Sequence, residues 1–283
     1  MDTDFLESGK QVLLSDPYTP KEEMLAPFRG RDRELAMICA SWMRSAGHPP
    51  LCPLMVGEPG VGKNRIVYAL AALTGLKLYI LQGHEDITAE DLACTVRFAD
   101  QQRMEYVLSP LVTAMHKGGI CFIDEIGKIR PRALALLVSV VDERRYIDST
   151  LLGERITAKD DFRFAAATNA GEEYELPEFL RSRLKPVVKV DLPDKEEIAD
   201  IVGAQIARSG ANRRLLNEFS ELWSRRGVGR TPREALQVFA LAESLSLYRT
   251  SGPEGVLGRG PGGRISKKDL KEAFDEIFGA TEG

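Results

Sequence analysis

Residues 51–64 of this 283-residue chain read LCPLMVGEPGVGKN. The first six are mostly apolar and predict a short buried strand, and GEPGVGKN is a glycine-rich loop that ends in a lysine and an asparagine. A helical pattern follows directly, with Ile66, Leu70 and Leu73 on one face and Gly75 as a stop signal. A strand, a glycine-rich loop and a helix in this order are the context of a phosphate-binding loop.

The residue types of this loop suit a bound nucleotide. Glycines let the backbone wrap with its N–H groups pointing inward, and the helix dipole adds positive potential. Lys63 supplies a point charge for the β and γ phosphates. A tight strand-to-helix turn would explain the glycines without a ligand, but it does not require the lysine. The predicted nucleotide contacts are Gly57, Glu58, Pro59, Gly60, Val61, Gly62, Lys63 and Asn64.

One position departs from the usual phosphate loop. Where the motif has Ser or Thr, whose hydroxyl binds Mg²⁺, this chain has Asn64. An amide oxygen is also a hard ligand, but Asn is longer than Thr and differs in geometry. The sequence therefore predicts either altered Mg²⁺ binding or a weakened site.

Polar side chains end two further predicted strands. The run ICFID at 120–124 is followed by Glu125, and FRFAAAT at 162–168 is followed by Asn169. The carboxyl ends of parallel strands are the edge at which ligands of open α/β folds bind. We expect Asp124 to hold hydrated Mg²⁺, Glu125 to polarise the attacking water and Asn169 to orient that water. A solvated loop for the acids and a turn role for Asn169 are the alternatives.

Three arginines are candidates for contacts with the γ-phosphate. Arg181 and Arg183, in LRSRL, end a short helical segment, from which an arginine in an oligomer could reach a neighbour's nucleotide. Arg233 lies in the first turn of a helix that begins with the capping-box sequence TPRE. A solvated surface position is the alternative for each of them.

Strands and helices are distributed unevenly along the chain. Between Leu51 and Val190, β-rich runs alternate with helical stretches, which predicts an α/β fold with a buried parallel sheet. After Asp191, apolar residues at helical spacing predict helices at 194–209, 211–226, 231–248 and 267–278. The predicted organisation is an extended N-terminal arm at 1–30, a nucleotide-binding domain at 31–190 and a small helical lid domain at 191–283.

Three stretches do not fit simple strand–helix alternation. Residues 97–107 and 145–158 each have β-prone arms around a polar turn, and both predict hairpins. Alternatively, these hairpins are surface features without a functional role. Residues 251–263 contain six Gly and two Pro and predict a mobile segment.

Composition limits the class of protein. The formal net charge is −4, the pI is about 5.6 and the hydrophobic share is 43%, as in an ordinary globular chain. This balance does not favour nucleic acid as the main partner. No apolar run approaches the ~18 residues of a membrane span. The N-terminus does not read as a secretory signal and the four cysteines have no paired spacing, so we expect a cytoplasmic location.

Taken together, GEPGVGK, ICFIDE, AATNA, LRSRL and GRTPRE, followed by helices, resemble the AAA+ ATPases over most of the chain. The two hairpins are similar to those of the MoxR and dynein-related branch, which includes CbbQ, NorQ and gas-vesicle N proteins. The resemblance implies a sheet of strand order 5-1-4-3-2, a helical lid, bound ATP and Mg²⁺, and a homo-oligomer, expected to be a hexameric ring. It also implies chaperone-like remodelling of a protein substrate or adaptor.

The resemblance also assigns roles to single residues. Lys63 matches the Walker A lysine, Asp124 and Glu125 match the Walker B pair, and Asn169 matches sensor 1. Arg183 matches the arginine finger with Arg181 beside it, and Arg233 matches sensor 2 with Arg230 as its alternative. Asn64 breaks the Walker A pattern. Two other functions remain open: a DNA-directed AAA+ motor or loader, and a nucleotide-binding scaffold with slow hydrolysis.

Overall fold

The computed structural model of the chain describes residues 2–21, 30–43, 47–98, 104–209, 214–226, 230–252 and 265–279. These residues form two compact units. The first contains 31–57 and 63–190 together with the N-terminal strands, and the second contains 58–62 and the part of the chain from Asp191 onward.

The strands are β1 (Thr3–Phe5), β2 (Gln11–Leu13), β3 (Leu54–Val56), β4 (Leu78–Gln82), β5 (Cys94–Phe98), β6 (Met104–Leu108), β7 (Gly119–Asp124), β8 (Tyr146–Ser149), β9 (Glu154–Thr157), β10 (Phe162–Thr168) and β11 (Val187–Lys189). The helices are α1 (Asp32–Trp42), α2 (Lys63–Thr74), α3 (Ala89–Ala93), α4 (Pro110–Lys117), α5 (Pro131–Leu134), α6 (Val138–Val141), α7 (Glu178–Arg181), α8 (Lys195–Ser209), α9 (Arg214–Arg226), α10 (Pro232–Ser251) and α11 (Lys267–Phe278).

A parallel five-stranded sheet forms the centre of the first unit. Its order is β11-β3-β10-β7-β4, which confirms the expected order 5-1-4-3-2 and the α/β fold class. Strands β7 and β10 are nearly continuous runs of buried side chains, because helices cover both faces of such a sheet. The parallel arrangement brings the carboxyl ends of β3, β7 and β10 to one edge.

The N-terminal residues differ from the expected extended arm. In the described part, 2–21, strands β1 and β2 form an antiparallel hairpin, and β2 pairs in parallel with β6. Leu6, Val12 and Leu14 are buried in the core of the first unit, so their apolar side chains account for the docking of this hairpin. The arm prediction was therefore wrong for these residues.

Both predicted hairpins are confirmed. Strands β5 and β6 pair antiparallel and join β2 and β1 in a four-stranded sheet of order β1-β2-β6-β5. Their connecting residues, 99–103, lie outside the described residues. Strands β8 and β9 form a separate two-stranded hairpin.

One face of the hairpin β5–β6 is apolar, and the side chains on this face become more exposed with distance from the core. The pair Cys94 and Leu108 is fully buried, Tyr106 is half-buried, and Phe98 is 75% exposed. We expect Phe98→Ala to change the free energy of unfolding by less than about 1 kcal/mol. Tyr106→Ala should lower it by about 1–3 kcal/mol, because Tyr106 packs against the core. Urea denaturation of the two variants measures this difference, and an equal loss at both positions would contradict it.

The apolar stretch after β7, residues 131–141, is largely buried and is divided into three short helical segments. It consists of α5, a 3₁₀ turn at Ala135–Leu137, and α6. Val138, Val140 and Val141 are β-branched, which lowers helix propensity. Burial of the segment on several sides stabilises it in this interrupted form.

The second unit is built from helices α8, α9, α10 and α11. Phe219, Trp223, Phe274 and Phe278 form an aromatic cluster with ring centroids 5.4–6.4 Å apart. The capping box predicted for α10 is present: Thr231 Oγ1 accepts from the Glu234 N–H, and the Glu234 carboxylate accepts from the Thr231 N–H. The predicted helix starts at 211–213 and the glycine-rich segment from 253 to 263 lie outside the described residues. No helix in the described part is long and apolar enough to cross a bilayer.

Candidate functional site

The loop predicted to bind phosphate connects β3 to α2. The Gly57 N–H donates to the carbonyl of Thr168 at the end of β10 (3.4 Å), so the loop starts at the carboxyl edge of the sheet. Gly60 and Gly62 have φ values of +88° and +104°, a conformation that residues with a Cβ rarely adopt. The Val61 N–H donates to the carbonyl of Glu58 (3.4 Å), which closes a turn around Pro59. The sequence therefore needs glycine where the backbone turns.

Lys63 is the first residue of α2, and its side chain reaches back over the start of the loop. It is only 8% exposed. Its Nζ donates to the carbonyl oxygen of Gly57 (2.6 Å) and to Oδ1 of Asn169 (3.3 Å). A buried ammonium group requires such acceptors, and anionic phosphate oxygens would satisfy it better. These two hydrogen bonds link the ends of β3 and β10 through one positive charge.

Asn64 and Asp124, the two predicted metal ligands, lie side by side. The Asn64 amide donates through Nδ2 to Oδ2 of Asp124 (3.0 Å). The other oxygen of Asp124, Oδ1, accepts from the Glu125 N–H (3.0 Å). A Thr or Ser hydroxyl can offer an oxygen to a metal, whereas this amide presents N–H to the carboxylate. In this arrangement the Asn64 side chain presents an N–H group to Asp124, whereas Mg²⁺ favours oxygen ligands.

Glu125 is held by two side chains that the sequence analysis missed. Its backbone is left-handed, with φ 54° and ψ 41°, which is uncommon for a non-glycine residue. Oε2 of Glu125 accepts from Nε2 of Gln82 (2.8 Å) and pairs with Nζ of Lys128 (2.9 Å). Gln82 is in register with Asp124 because β4 pairs with β7. A polar residue at the end of β4 was the available signal, but it becomes informative only once the strand order is known.

Asn169 lies at the end of β10, where the sequence placed it. Besides contacting Lys63, its Nδ2 donates to Oε1 of Glu172 (3.0 Å). Burial alone would raise the pKa of Glu172, but hydrogen bonds from Asn169 and Thr168 outweigh burial and lower that pKa. Glu172 therefore remains an anion that orients the Asn169 amide. Glu172 was not among the site residues predicted from the sequence.

Within the second unit, which includes residues 58–62 of the loop, Arg233 lies beside Gly60. A methyl group added at Gly60 would lie 3.0 Å from Oγ1 of Thr231 and 3.1 Å from Cβ of Arg233. The Arg233 side chain is exposed. The guanidinium of Arg230 instead contacts Oε1 of Glu234 (3.4 Å) and lies 4.5 Å from the ring centroid of Phe278. Of the two arginines, Arg233 is the one with its Cβ beside the loop.

Arg181 and Arg183 lie at the end of α7. The guanidinium of Arg181 pairs with Glu178, one turn earlier on the same short helix. Nε of Arg183 lies 3.8 Å from Oδ2 of Asp142, and its guanidinium also donates to the carbonyl of Phe179. Both arginines are partly exposed, so each is accessible to a second molecule.

Comparison with known proteins identifies related sequences. Residues 53–184 match the family model described as AAA domain (dynein-related subfamily). An uncharacterized protein of Staphylococcus haemolyticus is 32% identical over 158 residues, which are 54% of this chain and 60% of that relative. This chain therefore spans about three fifths of the length of that relative. An uncharacterized protein of Staphylococcus aureus strain USA300 is 27% identical over 237 residues, which are 81% of this chain and 89% of that relative.

Solved structures share the architecture. A mutant of Thermotoga maritima RuvB matches with a TM-score of 0.63 and 20% identity, covering 91% of this chain and 75% of that one. The FIGL-1 AAA domain, solved in complex with ADP, matches with a TM-score of 0.56 and 18% identity, covering 90% of each chain. At such identities the similarity establishes the fold alone.

Proposed function

We propose that this chain, whose residues 53–184 match the family model described as AAA domain (dynein-related subfamily), is an ATPase that remodels a protein partner. The proposal extends to a cytoplasmic, chaperone-like, MoxR-type protein that assembles into a homo-oligomeric ring. A hexamer is the expectation for that ring, and a protein substrate or adaptor is the expected partner.

One observation carries the proposal. Lys63 donates to both Gly57 and Asn169, so the loop lysine, the loop start and the polar end of β10 converge at one sheet edge. Asn64 and Asp124 meet at the same edge on the next strand. A structural turn needs neither a buried lysine nor a carboxylate beside it.

The chain's residues fit ATP and Mg²⁺ in type and position. Lys63 and the loop N–H groups between Gly57 and Asn64 would hold the phosphates. Asp124 would hold Mg²⁺, with the Asn64 oxygen as a second ligand after the amide turns over. When bound, Mg²⁺ neutralises charge that develops on the phosphate oxygens.

The remaining residues act on the water and on the phosphate charge. Glu125 would accept the proton of the attacking water once its Oε2 is released from Gln82 and Lys128. Asn169, oriented by Glu172, would position that water. Arg183, with Arg181 as the alternative, would act on a neighbour's nucleotide, and Arg233 would contact the γ-phosphate within its own chain.

The partner-facing elements of this proposal are the hairpins. The exposed Phe98 at the end of β5 supports an apolar contact with a protein. The acidic net charge is a poor match for a nucleic acid backbone.

An ATPase assay of the purified chain tests this function. The protein is incubated with ATP and Mg²⁺, and phosphate release is measured with and without duplex DNA. Release that does not depend on DNA supports the proposal. Release that requires DNA would favour a DNA-directed motor, and nucleotide binding with almost no release would favour a scaffold.

The orientation of the Asn64 amide leads to a prediction about Mg²⁺. Asn64→Thr should lower the Mg²⁺ concentration for half-maximal ATPase activity and raise the rate, because a hydroxyl oxygen replaces an amide that donates to Asp124. The measurement is a Mg²⁺ titration of phosphate release at fixed ATP.

Asn64→Val is the matched control, since valine has nearly the shape of threonine but no hydroxyl. The valine variant should not show the lower Mg²⁺ requirement. An unchanged or higher Mg²⁺ requirement in Asn64→Thr would mean that asparagine is already an adequate ligand.

A further inference from the structure

Asp142 connects a hairpin to an arginine of the proposed site. It follows α6 and precedes β8, and its side chain is only 7% exposed. Oδ1 accepts from the Arg144 N–H and Nε (3.0 and 3.1 Å), and Oδ2 accepts from a terminal nitrogen of Arg144 (2.7 Å). The hydrogen bonds from Arg144 hold the pKa of Asp142 below its ordinary value, with a smaller contribution from Arg183. Asp142 is therefore a fixed, partly enclosed negative charge.

The same carboxylate oxygen faces Arg183. Nε of Arg183 lies 3.8 Å from Oδ2 of Asp142, and a terminal nitrogen of Arg183 donates to the Phe179 carbonyl. The Arg183 guanidinium is thus located by two separate elements, α7 and the segment before β8. Arg181 differs, because its acidic neighbour, Glu178, belongs to the same turn of helix.

From Arg144 the contacts continue into the hairpin β8–β9. The guanidinium carbons of Arg144 and Arg155 lie 5.5 and 3.7 Å from the ring centroid of Tyr146. Arg155 also pairs with Asp148 across the hairpin (2.8 and 3.0 Å). A continuous set of charge and ring contacts therefore runs from the exposed pair Arg155–Asp148 to Arg183.

We propose that Asp142 is a positioning residue that holds Arg183 for its action on a neighbouring subunit and couples that arginine to hairpin β8–β9. Arg144 and Arg183 share one carboxylate oxygen, so a displacement of the hairpin changes how strongly Asp142 holds Arg183. This inference rests on the proposed function, because it takes Arg183 as the arginine supplied to the neighbour's nucleotide.

Mixed oligomers test the inference. Subunits with Lys63→Ala supply an intact Arg183, and subunits with Arg183→Ala supply an intact loop, so their mixture should regain ATPase activity at hybrid interfaces. Asp142→Asn is then added to one kind of subunit at a time. On the Lys63→Ala subunit it should reduce the regained rate about fivefold or more, a small part of the ~10³–10⁵ that such an arginine contributes. On the Arg183→Ala subunit it should have almost no effect.

The control is Glu143→Gln, which removes the exposed carboxylate next to Asp142 in the sequence. It should leave the regained rate within about twofold on either subunit, because Glu143 is not part of the set of contacts that leads to Arg183. An equal loss from Asp142→Asn on both kinds of subunit would overturn the inference and indicate general destabilisation. An unchanged rate on both would overturn it as well. No regained activity in the parent mixture would refute the trans role of Arg183 itself, and the inference with it.

The arginine can also be observed without turnover. In the wild-type protein, the Arg183 Nε–H should give a resolved nitrogen–proton NMR signal, because Asp142 restricts the guanidinium. Asp142→Asn should broaden or shift that signal while leaving the Arg155 signal in place. An unaltered Arg183 signal would contradict the positioning role.

Discussion

Lys63→Ala is expected to remove measurable ATP binding. Lys63 is buried, and its ammonium group donates to Gly57 and Asn169. Charge-assisted hydrogen bonds to phosphate are the strongest polar contacts that this loop offers. A loss of about 3 kcal/mol in the free energy of ATP binding corresponds to about 100-fold weaker binding. Isothermal titration with ATP measures the affinity.

Lys77→Ala is the matched control, since Lys77 is an exposed lysine just before β4 in the same unit. That variant should bind ATP as the wild type does. Thermal unfolding of both variants shows whether the Lys63 substitution leaves the fold intact. Wild-type affinity in a folded Lys63→Ala variant would refute the phosphate loop.

Glu125→Gln is expected to retain ATP binding and lose turnover by a factor of about 10²–10³. The substitution removes the group that accepts the proton of water, and it leaves the loop, Lys63 and Asp124 unaltered. Glutamine can still accept from Gln82, so the local structure should persist. ATP affinity and single-turnover phosphate release, measured on the same preparation, separate the two effects.

The control for this substitution is Glu85→Gln, a highly exposed carboxylate near Arg130. It should change neither affinity nor turnover. Loss of ATP binding in Glu125→Gln, or turnover equal to that of the wild type, would contradict the role assigned to Glu125.

The central sheet and its polar edge could be predicted because their signals are local. Strands buried on both faces read as apolar runs, and Asp124 and Asn169 follow such runs directly. The capping box at Thr231 likewise depends on residues three positions apart. In each case the interaction is set by neighbours in the sequence.

The features that sequence reasoning missed depend on pairings between distant segments. Val12 pairs with Tyr106, but the sequences of β2 and β6 do not show that these strands are partners. The N-terminal hairpin was therefore predicted as an extended arm. Gln82 contacts Glu125 only because β4 lies next to β7 in the sheet. The sequence also does not indicate that the Asn64 amide donates to Asp124, because this contact forms only when α2 and β7 are brought together in the fold.

We propose that this chain hydrolyses ATP at a site completed by a neighbouring subunit. The most direct test is the initial rate of phosphate release per subunit, measured with saturating ATP and Mg²⁺ over a wide range of protein concentration. We predict a rate that rises steeply with concentration in the wild type and stays at background in Lys63→Ala. A wild-type rate that never exceeds that of Lys63→Ala, or a constant rate in a strictly monomeric sample, would contradict the claim.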